Sequence, residues 1–187
     1  AVPRAGFDPA SRLVMGLCAA RGHALTLVDS PEMLAALPDG AGIAKLPGRF
    51  PEGVAGLEAL AGTQDAVLCY SVLHYAFTGG QVFAFLDAAL RLLRPGGALL
   101  LGDVPNASMR RRFLASAAGR AFHRAWTGRD EDPEPGFNTP AEGEMDDAVV
   151  MALLARARAA GADAWVLPQP PELPMANRRE DILVRRP

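Results

Sequence analysis

Three histidines are the side chains of this chain that titrate nearest neutral pH, and their positions differ in promise. His74 stands just past the apolar run Asp65–Tyr70, where an imidazole of pKa about 6.5 could take a proton from a hydroxyl or amine. A histidine at a strand end can also simply cap or pack, so His74 is a candidate base and nothing more at this level. His123 falls among arginines on a predicted helix, and His23 is expected at the surface. Cys18 and Cys69 lie in apolar stretches without the paired spacing of a zinc or redox motif. They read as free buried thiols in a reducing compartment, with no metal site. Arg110, Arg111, Arg178 and Arg179 could hold a carboxylate or phosphate, although a solvated surface group is the more ordinary reading of any one of them.

The elements that must position these groups follow from periodicity. Residues 11–20 carry Leu13, Val14, Leu17 and Cys18 at helical spacing, with Gly22 where a C-cap glycine belongs. Ala24–Val28 is a continuous apolar run, the pattern of a strand buried on both faces, and it stops at Asp29. Ser30 and Pro31 then open a short helix with Met33, Leu34 and Leu37 on its apolar side. Ile43–Leu46 suggests a brief strand before the turn at Pro47-Gly48, and Asp65–Tyr70 a second central strand. Val82, Phe85, Leu86, Ala89, Leu90 and Leu93 form the clearest amphipathic helix, which Pro95-Gly96-Gly97 is expected to stop before a strand over Ala98–Leu101. Short apolar strands alternating with helices predict an α/β fold with a doubly wound, mostly parallel sheet in a three-layer α-β-α sandwich.

Two later segments depart from that rhythm. Residues 105–147 separate their charges, with Arg110, Arg111, Arg112, Arg120 and Arg124 on a probable-helix pattern and eight acids in the stretch after it. A solvated helix with an acidic loop is the plain reading, and a helical lid over a substrate site the sharper one. At the end, Ala164–Leu167 and Asp181–Val184 both read as strands, yet the link between them is proline-rich and lacks a helical pattern. Strands joined that way are most simply antiparallel, so the last strand should run against the others.

Composition excludes several classes. The 187 residues are 50% hydrophobic with a net charge of −2, which suits one globular domain able to bury a core without disulfides or a metal. A near-neutral balance argues against nucleic acid as a partner. No apolar run approaches the ~18 residues of a membrane span, and no signal-peptide core opens the sequence, so no membrane association and a cytoplasmic location are expected. Lys45 is the sole lysine, and the arginine and alanine bias has the look of a GC-rich genome.

Taken together, the segments Leu27–Leu34, Asp65–His74 and Leu92–Gly97, with the closing strand pair, resemble the class I S-adenosylmethionine-dependent methyltransferases. The resemblance covers about residues 11–103 and resumes over the final stretch; each motif is weak alone, and their order is what makes them specific. It implies a single methyltransferase-like domain over residues 1–187, S-adenosylmethionine as cofactor, and Asp29 as the acid that accepts hydrogen bonds from ribose hydroxyls. An N-cap role is the alternative for Asp29. The resemblance further implies Ser30 and Met33 beside the adenine, Gly48 and Phe50 along it, and Cys69, Tyr70 and Ser71 at the methionine moiety. Arg49 stands where the family often has an acid, which leaves the adenine amine without that partner.

The family's first strand and glycine-rich loop are not visible in Ala1–Pro9, where Gly6 is the one glycine, and residues omitted around Phe7–Ser11 are the favoured explanation. The expected activity is methyl transfer to O or N of a small, anionic acceptor. A similarity of the 102–106 and 175–181 segments to bacterial enzymes of surface-glycan pathways suggests a sugar or glycan precursor. The rival readings are a non-catalytic binding or regulatory protein on the same scaffold, and an NAD-dependent oxidoreductase. Oligomeric state is not legible.

Overall fold

The structure is a computed structural model that describes residues 9–139 and 142–187. The stretch Ala1–Asp8, with Gly6, lies outside the described residues, as does the question of what precedes the first helix. The chain divides into two compact units, residues 1–61 and 62–187.

The first unit holds helix α1 (Pro9–Arg21), strand β1 (Leu25–Asp29), helix α2 (Pro31–Ala35) and strand β2 (Ile43–Pro47). β1 and β2 pair in parallel, with Asp29 opposite Pro47 at their carboxyl ends. α2 starts where the sequence places it: Ser30 is extended, its Oγ accepts from the Met33 N–H, and Pro31 occupies the first turn where a missing N–H costs nothing.

The second unit is built on β3 (Gln64–Tyr70), helices α3 (Leu73–Thr78) and α4 (Val82–Leu92), β4 (Leu93–Pro105), helices α5 (Ala107–Ala115), α6 (Ala117–Thr127) and α7 (Asp147–Ala159), β5 (Asp163–Pro168) and β6 (Arg179–Arg185). Its four strands lie in the order β3-β4-β6-β5. β3 and β4 are parallel, and β6 runs antiparallel to both β4 and β5, as the helix-free link between β5 and β6 predicts. On one face, Leu99 pairs with Val184 and Leu101 with Ile182, all four sealed from solvent. α4 packs on β3 and β4, and α7 on β5 and on α4, so the apolar stripes Phe85, Leu86, Ala89 and Val150, Leu153, Leu154 are buried. On the other face a row of apolar residues, Leu68, Leu100, Leu183 and Trp165, crosses the four strands in register. Its two ends, Leu68 and Trp165, are 45% and 44% exposed. Among the described residues β1 and β3 each carry a strand partner on one side only.

Three local features differ from the sequence expectation. β4 does not wait for Pro95-Gly96-Gly97 to end; it begins at Leu93 and runs through them. Gly96 takes a φ of 79°, and a Cβ on Gly97 would stand 2.8 Å from the Gln64 carbonyl oxygen, so the glycines here let two backbones pass. The arginine-rich segment forms two helices, because Ser116 is extended and its Oγ accepts from the Gly119 N–H, ending one helix and capping the next. Gly119 itself fits that corner only without a side chain, since a Cβ would lie 1.9 Å from the Phe113 carbonyl oxygen. Finally, the β4–β6 ladder slips between Leu101 and Val104, a bulge that the sequence pattern did not signal.

Asn106 links several of these elements. It is buried, caps α5 through the Met109 N–H, and donates from Nδ2 to Asp147 Oδ1 at 2.7 Å and Glu180 Oε1 at 2.6 Å. Asn106→Ala removes the cap, takes the amide donor from Glu180 and leaves Asp147 with Arg112 alone, and is expected to destabilise the protein by about 1–3 kcal/mol, read as a lower urea midpoint.

Candidate functional site

In the first unit the carboxyl ends of the parallel pair bring Asp29, Ser30 and Gly48 together. The Gly48 N–H donates to the Asp29 carbonyl at 2.9 Å, and Asp29 Oδ1 accepts from the Ser30 N–H at 2.7 Å. Ser30, not Asp29, caps α2, which removes the capping alternative for the acid. Asp29 is exposed, and its Oδ2 has no protein partner among the described residues. Met33 is half-buried, while its neighbour Leu34 takes the core position. Gly48 has a φ of 146° and passes so close to Gly53 that a Cβ would meet that carbonyl oxygen at 2.0 Å. Phe50, half-buried, precedes Pro51 through a cis peptide bond.

In the second unit the ends of β3 and β4 form another convergence. Tyr70 lies over Gly102, where a Cβ would come within 2.4 Å of the ring. The next residues on each strand, Ser71 and Asp103, both adopt left-handed backbone, with φ of 56° and 60°. Non-glycine residues in this region carry strain, which persists only where surrounding contacts hold it. Those contacts are specific. Ser71 N–H donates to the Gly102 carbonyl at 3.0 Å, and Ser71 Oγ donates to Asp103 Oδ2 at 2.5 Å. Arg179 Nη1 donates to the same carboxylate oxygen at 2.6 Å and to the Asp103 carbonyl at 3.2 Å. At the bulge, the Asp103 N–H has left the ladder and donates to Asp181 Oδ1 at 2.9 Å, which buried Gln169 also holds at 3.0 Å.

His74 enters on the first turn of α3 with its ring 3.9 Å from that of Tyr75. Its Nδ1 is buried without a hydrogen-bond partner. Burial, aided by the Arg179 charge and opposed by Asp103, holds its pKa below the usual imidazole value. Burial likewise pushes the Cys69 thiol up to about 12, so this cysteine stays protonated at neutral pH. Neither cysteine forms a disulfide, and among the described residues no group of three or more His, Cys, Asp or Glu is placed to hold a metal ion.

The arginines divide differently from what their sequence suggests. Arg110 meets Glu144, Arg112 meets Asp147, and Arg124 meets Asp132, so the helices α5 and α6 are pinned to the acidic stretch by ion pairs. Arg178 stacks over the Phe122 ring at 5.6 Å. Arg111 lines a hollow of about 330 Å³ with Arg110, Leu114 and residues 133–136. His123 and His23 join neither convergence. Sequence reasoning missed Asp103, Asp181 and Gln169 as site-building residues; the one available signal was the acid directly after the strand-end glycine, Gly102-Asp103.

No family model matches the chain. Among curated proteins, a stretch of 56 residues, 30% of this chain, is 41% identical to chondramide synthase CmdD of Chondromyces crocatus, of which it spans 1%. The fold of the citrinin polyketide synthase CMeT domain is similar with a TM-score of 0.56 and 14% identity, over 93% of this chain and 42% of that one. A SAM-dependent methyltransferase from Methanosarcina mazei matches with a TM-score of 0.52 and 14% identity, over 92% of this chain and 86% of that one. A Rhodobacter sphaeroides protein described as a Zn-dependent alcohol dehydrogenase matches at 0.56 and 17% identity, over 95% and 82%. Solved structures of this likeness, methyltransferases in the main, define the fold: the chain has that of the class I S-adenosylmethionine-dependent methyltransferases.

The depressed His74 pKa ties stability to pH. The fold favours the neutral ring, so the associated stability is present above about pH 6.5, the value of a free imidazole, and is lost as pH falls toward the folded pKa. NMR titration should place His74 below that free value, and Arg179→Gln should raise it.

Proposed function

We propose that this protein transfers the methyl group of S-adenosylmethionine to an oxygen or nitrogen of a small molecule. The observation that carries the reading is Asp29: an acid at the carboxyl end of a parallel strand, relieved of capping by Ser30, with one carboxylate oxygen left for paired hydroxyls. The Gly48 N–H bond to the Asp29 carbonyl supports it, because it fixes the turn after β2 beside that acid.

In this reading Asp29 holds the ribose, Ser30 and Met33 border the adenine, and Gly48 and Phe50 flank it. Cys69, Tyr70 and Ser71 take the methionine moiety, where a thiol held neutral adds no charge. When bound, the cofactor supplies a methyl group already activated on a sulfonium, so the protein's task is alignment and removal of one proton. His74 is suited to the second role. Its ring is neutral at pH 7, and it would receive the hydroxyl or amine proton as the acceptor's lone pair bonds to the methyl carbon. Residues 105–147 would form a lid whose Arg–Asp and Arg–Glu pairs fix its shape.

Of the four arginines that suggest an anionic acceptor, Arg110 and Arg179 already hold carboxylates and Arg178 stacks over Phe122, which favours an uncharged acceptor over an anionic one. The resemblance in fold to a polyketide synthase domain, and the short sequence match to chondramide synthase, favour a secondary-metabolite intermediate over a glycan precursor. A small-molecule partner and a cytoplasmic location belong to the same reading. No helix among the described residues is long and apolar enough to cross a membrane.

Calorimetric titration with S-adenosylhomocysteine, with NAD as control, tests the proposal. Micromolar binding that Asp29→Ala weakens by about 1–3 kcal/mol supports it. Absence of binding, or binding of NAD instead, sinks it and favours a scaffold without methyl transfer. Once an acceptor is known, His74→Gln should lower kcat by roughly 10²–10⁴, and the wild-type rate should fall as pH drops through the depressed His74 pKa.

A further inference from the structure

The polar cluster at the ends of β3, β4 and β6 is over-built for a purely structural ion pair. Two residues in left-handed backbone, Ser71 and Asp103, face each other across adjacent strands. One carboxylate oxygen, Asp103 Oδ2, accepts from both Ser71 and Arg179. The backbone of Asp103 is fixed from behind by Asp181, which buried Gln169 holds in turn.

All of this support converges on half of each partner. Asp103 Oδ1, and the Nε and Nη2 of Arg179, have no protein partner among the described residues. None of the three is among the sealed, unpartnered polar atoms of the structure, and the two side chains keep 17% and 22% of their exposure. The cluster therefore presents a fixed acceptor beside a fixed donor edge, with the charges of the pair cancelling. Such an edge suits a ligand that is itself uncharged and carries a hydrogen-bond donor next to a hydrogen-bond acceptor. An anionic ligand would gain from Arg179 and be repelled by Asp103 at the same site.

We propose that Asp103 and Arg179 form the specificity-determining pair for the methyl acceptor, selecting a neutral molecule of the hydroxy-ketone type. Its hydroxyl donates to Asp103 Oδ1, and its carbonyl accepts from the free edge of Arg179. This rests on the methyl-transfer reading, but the binding itself involves only residues of the second unit. The Ser71 hydroxyl acts through Asp103, as a positioning residue that keeps Oδ2 occupied and Oδ1 turned to the ligand.

The test uses the full chain and three probes of nearly equal shape: 2-hydroxyacetophenone, acetophenone, which lacks the donor, and salicylate, which carries a negative charge. Affinities are read by chemical-shift titration of the isotopically labelled protein, with and without S-adenosylhomocysteine. The expected result is a preference of about tenfold or more for 2-hydroxyacetophenone over both others. That preference should disappear in Asp103→Asn, which tolerates the left-handed backbone, and in Arg179→Gln. Arg179→Lys, which keeps the charge and loses the fork, should retain the discrimination against acetophenone only in part. The proposal is overturned if no probe binds, if salicylate binds as well as the hydroxy-ketone, or if the preference survives both Asp103→Asn and Arg179→Gln. Failure of S-adenosylhomocysteine to bind would count against methyl transfer instead, and the probe ranking measured without it still decides this proposal.

Discussion

A single carboxylate, that of Asp103, is where the carboxyl ends of β3 and β4 and the amino end of β6 are tied. β3 reaches it through Ser71, β6 through Arg179, and β4 supplies it from the bulge that interrupts the ladder. Each contact offsets part of the cost of left-handed backbone at Ser71 and Asp103, and each is charge-assisted, the stronger kind of hydrogen bond. At the same bulge the Asp103 N–H leaves the β4–β6 ladder and is taken up by Asp181. The corner below is fixed independently by Asn106, whose amide spans Asp147 and Glu180. The strand ends are thus rigid where the helices that follow them, α5 and α6, are held by exposed ion pairs that water and salt weaken.

The same contrast runs through the proposed chemistry. Groups that must hold one geometry are set on strand ends and supported from behind, as Asp29 is by Ser30 and Gly48 and Asp103 by Arg179 and Asp181. His74, which needs only to be neutral and near, sits on a short helix with a buried and unpartnered Nδ1. Desolvation does there what a hydrogen-bonded acid would do elsewhere, but with the opposite sign: it keeps the ring uncharged rather than drawing a proton to it.

Much of this was legible in the sequence because it is local. The apolar runs ending at Asp29, Tyr70 and Asp103, the stripe of α4, and the helix start at Ser30-Pro31 each depend on residues within a few positions of one another. The antiparallel closing strand was legible by elimination, since the link before it has no helical period. The fold class followed from the order of these pieces. What escaped depends on long separations or on backbone detail. Arg179 and Asp103 are 76 residues apart, and Arg112 and Asp147 are 35 apart, so nothing in the local pattern distinguishes these arginines from solvated ones. The run of β4 through Pro95-Gly96-Gly97 was hidden because those residue types usually end an element, and here they permit a close passage instead. The break at Ser116 was hidden by the arginine content on both sides of it.

The row Leu68–Leu100–Leu183–Trp165 has a practical side. It joins an apolar surface to strand β3, whose outer N–H and C=O groups have no strand partner among the described residues. An open edge flanked by apolar side chains is a template on which another chain can add. A charged substitution at Leu68 or Trp165 would interrupt that row, and is the first change to make if the protein associates when concentrated.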